Sequence, residues 1–64
     1  MPYVTIEWLE GRTIDQKRKV IAAITDALVD LADARREGVQ VVFKDLSREI
    51  WGKGGILGID RTDE

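Results

Sequence analysis

The chain has 64 residues, enough for one small domain that buries only roughly 60% of its unfolded surface. It has no cysteine and no histidine, which excludes a disulfide framework and a thiolate metal site, argues against zinc, and leaves oligomerisation as the stabiliser to expect. A net charge of −2 with 44% hydrophobic residues argues against nucleic acid as the main partner and against disorder, and with no membrane-length apolar run or signal peptide the expectation is a cytoplasmic protein.

A strand is predicted over residues 1–9. Tyr3 to Leu9 alternate, with Val4, Ile6 and Trp8 on one face and Tyr3, Thr5, Glu7 and Leu9 on the other. Pro2 suits the start of a strand, where a missing N–H costs least. Glu10-Gly11-Arg12 reads as a turn. Thr13-Ile14-Asp15-Gln16 fits a capping box, with Thr13 as N-cap and Gln16 reaching back.

Val20, Ile21, Ile24, Ala27, Leu28 and Leu31 recur at helical spacing, so a helix over residues 14–34 is predicted. Arg35 and Arg36 suit its last turn, and Gly38 is the expected stop. Val39 to Leu46 reads as the second strand, residues 39–46. A strand, a long helix and a strand imply a β-α-β unit with parallel strands and a right-handed crossover.

Residues 51–61 read as a turn and short hairpin, with Gly52, Gly54, Gly55 and Gly58 at turn positions needing positive φ. The Gly52-Lys53-Gly54 segment lacks the spacing and the following Ser or Thr of a phosphate-binding loop. Thr62 to Glu64 is expected to be a loose tail. The predicted class is α+β: a single domain, residues 1–64, of one β-α-β unit plus a C-terminal hairpin. One sheet face lacks a helix, and its edges are open. The chain is therefore expected to assemble through its sheet.

Chemistry converges on Pro2. Removal of Met1 turns it into a free secondary amine, which can take a proton from carbon once its pKa approaches neutrality. An α-amino group starts at roughly 7.7–8.0, proline somewhat higher, and an apolar pocket lowers it. Trp51, Trp8 and nearby aliphatics are expected to form that pocket. Arg12, just after the first strand, is placed to hold a substrate carboxylate beside the amine and to lower its pKa further. Taken alone, each residue has a plainer reading: a second residue of no special role, a solvated turn arginine, an interface tryptophan. Glu7, Glu10 and Asp45 are read as solvated.

The start Pro2-Tyr3-Val4, the run Leu9-Glu10-Gly11-Arg12, Asp15-Gln16-Lys17 and Trp51-Gly52-Lys53-Gly54-Gly55 together resemble the 4-oxalocrotonate tautomerase family over nearly the whole chain. The resemblance implies β-α-β subunits assembled as hexamers, trimers of dimers, with active sites between subunits and no cofactor or metal. It implies isomerisation of an enol or unsaturated 2-oxo acid by the amino-terminal proline. By that resemblance Pro2 is the base, Arg12 binds the carboxylate, Trp51 lines an apolar pocket, and the backbone at Leu9 contacts substrate.

One position departs from the pattern. Where the family carries a second arginine, this chain has Gln40. A neutral amide donates hydrogen bonds at about half the strength of a charge-assisted pair. A dicarboxylate 2-oxo acid is then a poorer substrate, unless Arg35, Arg36 or Arg48 of a neighbouring subunit supplies the charge. Two alternatives stand beside the tautomerase: haloacrylate hydration–dehalogenation or β-oxo acid decarboxylation on the same scaffold, with Glu49 considered for activating water, and a non-catalytic subunit of a heterohexamer.

Overall fold

A computed structural model describes residues 1–62. Strand β1 (Tyr3–Leu9) leads to helix α1 (Ile14–Ala32), then a short 3-10 turn over Arg36–Gly38 and strand β2 (Gln40–Leu46). Strands β3 (Gly52–Lys53) and β4 (Ile56–Leu57) form a small antiparallel hairpin, and a second 3-10 turn covers Gly58–Asp60. β1 and β2 pair in parallel, from Tyr3 opposite Gln40 to Leu9 opposite Leu46. This is the predicted β-α-β unit with its hairpin. The expected tail at Thr62 to Glu64 lies partly outside the described residues, which end at 62.

Local chemistry sets the helix start. Thr13 Oγ1 accepts from the Gln16 amide at 3.1 Å, and Gln16 Oε1 accepts from the Thr13 amide at 2.9 Å, closing the capping box. Asp15 lies in the first turn, at the positive end of the helix dipole.

The helix end differs from the sequence reading. It comes at Ala32 rather than 34, because Asp33 adopts the left-handed conformation at φ 57°. The amides of Asp33 and Ala34 both turn back to the Leu28 carbonyl, closing the helix without glycine. Gly38 instead ends the following 3-10 turn, and Arg35 and Arg36 lie beyond the helix. Arg36 pairs with Asp26 at 2.5 Å, folding that turn back onto α1.

The hairpin glycines divide by role. Gly54 and Gly55 have positive φ, as a tight hairpin turn of this hand demands. Gly52 and Gly58 do not; they are needed for space. A Cβ at Gly58 would come within 2.8 Å of Trp51 Cε3 and 2.9 Å of the Arg48 carbonyl oxygen.

α1 covers the β1 face that carries Val4, Ile6 and Trp8, all half-buried, while Tyr3, Thr5 and Glu7 are exposed. Val20, Ile24 and Leu28 are half-buried, but Ile21 and Ala27 are exposed and Leu31 is 87% exposed. Among the described residues no hydrophobic side chain is fully buried. A slab with extents of 43 × 23 × 15 Å is too thin to enclose a buried layer.

Candidate active site

The parallel register sends the sequence-predicted residues to opposite ends of the sheet. Pro2 sits immediately before β1, and its carbonyl accepts from the Gln40 amide at 3.0 Å. Gln40 Nε2 in turn donates to Met1 Sδ at 2.8 Å. An open groove here is lined by Met1, Pro2, Ala34, Arg35, Glu37 and Gly38. The shared register at Tyr3 and Gln40 therefore brings two predicted residues, Pro2 and Gln40, together.

The far end gathers the others. A second groove is lined by Trp8, Leu9, Arg12, Leu46, Arg48 and Trp51, with Glu7 and Glu10 at its edge. Arg12 donates a guanidinium N–H to the Leu9 carbonyl at 3.0 Å, which folds its side chain back over the strand end. Its Cζ lies 4.4 Å from the centroid of the Trp8 ring, within cation–π range. Trp8 stacks on Phe43 with centroids 5.3 Å apart and planes inclined by 14°. Trp51 is half-buried, and the Arg61 guanidinium lies 5.9 Å from its ring centroid.

Pro2 and Arg12 are therefore not neighbours within the chain, which corrects the sequence reading. β1 spans seven residues, and at about 3.3 Å per residue its ends stand roughly 20 Å apart. Trp8 and Trp51, expected around the Pro2 amine, belong to the Arg12 end instead. Each end carries half of the predicted constellation. Arg35 lies at the Pro2 end and Arg48 at the Arg12 end, whereas Arg36 is engaged by Asp26. Glu49 is exposed and lines neither groove.

Asp45 is exposed, as expected, but its carboxylate is not left to water alone. It lies opposite Trp8 in the strand register, and its Oδ1 accepts from Trp8 Nε1 at 2.6 Å. Its Oδ2 pairs with Lys17 of α1. Hydrogen bonds from Lys17 and then Trp8 hold the Asp45 carboxyl below its ordinary value, helped by the charges of Lys17 and Arg12 and opposed by partial desolvation. The signal for this cluster was the register: aligning Tyr3 with Gln40 puts Trp8 beside Asp45.

Among the described residues, no helix is long and apolar enough to cross a membrane. No group of three or more Asp or Glu residues among them is arranged to hold a metal ion.

The fold and most of the sequence have counterparts in known proteins. A sequence model of the family described as Tautomerase enzyme matches residues 2–58. A probable tautomerase of Listeria monocytogenes serotype 4b (strain F2365) is 36% identical over 60 residues, covering 94% of this chain and 98% of the relative. A 2-hydroxymuconate tautomerase of Comamonas testosteroni is 41% identical over 56 residues, covering 88% of this chain and 89% of that protein. The crystal structure of a 4-oxalocrotonate tautomerase homologue superposes with a TM-score of 0.90 at 30% identity, over 95% of this chain and 97% of the other. With its fold and most of its length matched in this way, the chain belongs to the tautomerase family.

Proposed function

We propose that this chain is a cofactor-independent isomerase that moves a proton within a small enol or unsaturated 2-oxo acid, with Pro2 as general base after removal of Met1. The observation that carries this reading is the position of Pro2. It is half-buried at the head of β1, beside the Gln40 amide, in a chain with no histidine or cysteine to serve as base.

The proposed chemistry needs few groups. The neutral amine takes a proton from the enol hydroxyl or a carbon and returns it to another carbon of the conjugated system. Gln40 Nε2, which now reaches the Met1 sulfur, donates instead to the carbonyl oxygen that gains charge. Arg12 holds the carboxylate, and Leu46 and Trp51 wall off water around the apolar part. Pro2 and Arg12 of one chain stand at opposite ends of β1, so the Arg12 facing a given Pro2 comes from another copy. The chain then works as a homo-oligomer in the cytoplasm, a hexamer as the resemblance implies. Burial of Leu31, Ile21 and the uncovered sheet face follows from that assembly.

The Met1 contact favours one second reading. With Met1 retained, the Pro2 nitrogen is an amide, and the Met1 side chain stays against Gln40 and Gly38. Such a chain serves as the non-catalytic partner of a mixed hexamer.

An intact mass spectrum of the protein from its own host separates the two readings. Loss of one methionine supports the enzyme. Ketonisation of 2-hydroxymuconate, the substrate named for the Comamonas relative, then reports the activity. Pro2→Ala is expected to lower kcat/KM by on the order of 10²–10⁴, and an unchanged rate rules out Pro2 as the base.

A further inference from the structure

Arg12 is held firmly but has no acidic partner among the described residues. Leu9 takes one N–H, and the Trp8 ring supports the guanidinium plane. Neither contact neutralises the charge or covers the rest of the fork. Glu7 and Glu10 border the same groove without forming an ion pair with Arg12, and Arg48 adds a second positive charge there.

Asp45 is the acid that touches the same indole as Arg12. Both of its oxygens are already occupied, one by Trp8 Nε1 at 2.6 Å and the other by Lys17. Lys17 reaches it from the sheet-facing side of α1 with its side chain only 22% exposed, so the ammonium is delivered along a packed stem rather than from solvent. Removing Lys17 would leave one carboxylate oxygen without its partner, with the Arg12 cation across the indole as the alternative. Captured by Asp45, Arg12 would have fewer donors for a ligand. Groove charge would also shift towards the negative, repelling a substrate carboxylate.

We propose that Lys17 and Trp8 sequester Asp45 and so keep the Arg12 fork open for a substrate carboxylate, which makes Lys17 and Asp45 positioning residues that act through Arg12. This inference rests on the reading of Arg12 as the carboxylate ligand. It explains why an acid lies so near a site meant to bind acids: Asp45 orients the Trp8 ring on which Arg12 lies, and Lys17 prevents it from competing.

Steady-state kinetics on the assembled enzyme test the inference, with an enol-forming 2-oxo acid and its methyl ester compared across wild type, Arg12→Ala, Lys17→Met and Lys17→Met/Asp45→Asn. Lys17→Met is expected to raise KM for the acid about tenfold, the scale of one charged hydrogen bond, with kcat within about twofold and KM for the ester unchanged. The added Asp45→Asn is expected to restore KM for the acid, which a folding defect would not allow. The inference is overturned if Lys17→Met leaves KM for the acid unchanged while Arg12→Ala raises it. A rise shared by the ester, or one that Asp45→Asn does not reverse, also overturns it. An unchanged KM for the acid in Arg12→Ala removes the reading of Arg12 itself, and this inference with it.

Discussion

The main-chain amide of Gln40 donates to the carbonyl of Pro2 at 3.0 Å, so residue 40 stands beside Pro2 whatever side chain it carries. The backbone fixes the address, and the side chain decides what the address offers. In this chain it offers a neutral amide, where the family resemblance implies a cation.

Gln40→Arg should therefore change selectivity without moving the backbone. A guanidinium at this position supplies a charged donor for a second carboxylate or the developing oxyanion. We expect kcat/KM for a dicarboxylate 2-oxo acid to rise by on the order of 10² relative to a monocarboxylate. Paired kinetics on the two substrates measure this ratio, and an unchanged ratio means residue 40 does not meet the substrate.

Separation of the half-sites makes a second prediction. Pro2→Ala and Arg12→Ala chains should each be strongly impaired alone. When the two are mixed, unfolded and refolded together, about a quarter of the sites should regain both groups by random assortment. Activity assays before and after mixing check this. No recovery would mean that both groups act within one chain, against the roughly 20 Å length of β1.

Much of this architecture was legible because its causes are local. Thr13 and Gln16 bond to each other's amides, so the helix start follows from a four-residue pattern. The alternation of Val4, Ile6 and Trp8 similarly defines its own face. The helix end was not legible, because Asp33 takes a left-handed conformation that a glycine was expected to supply. Nor was the spacing of the site. Pro2 and Arg12 are close in sequence, but an extended strand keeps them apart. The apolar stripe on α1 hid a further ambiguity: Val20 and Leu28 are half-buried within their own chain, whereas Leu31 at the same periodicity is exposed.

Gly58→Ala should be costly although alanine is small. The new methyl would meet Trp51 Cε3 at 2.8 Å and the carbonyl oxygens of Arg48 and Trp51 at 2.9 Å, and backbone cannot swing aside like a side-chain tip. A loss of about 1–3 kcal/mol is expected, together with a displaced Trp51. Urea unfolding at fixed protein concentration measures the loss, since the proposed assembly would make stability depend on concentration. Gly55→Ala should also destabilise, but through backbone strain at φ 82° in open space, leaving Trp51 fluorescence unchanged.

Acid should act through Asp45. Its carboxyl titrates lower in the folded chain than the ordinary aspartate value of about 3.9. A group depressed on folding adds stability that is complete above its unfolded value and is lost as pH falls through its folded value. The Asp45 contribution is thus intact at neutral pH, begins to fall below about pH 4 and is lost as pH drops through the lower folded value, where protonation releases Lys17. Asp45→Asn should lower stability at pH 7 and flatten this acid limb, which thermal melts across the acid range would show.

On the proposed reading, a centre divided between the two ends of β1 is also inherited in halves. After a gene duplication, a copy that loses Pro2 still lends Arg12 to its sister, and a copy that loses Arg12 still lends Pro2. Damage that would silence a self-contained enzyme is then masked while both copies co-assemble, and complementary losses make each copy indispensable to the other. The extended strand that keeps the two residues apart opens a route from one gene to an obligate pair without a new binding surface.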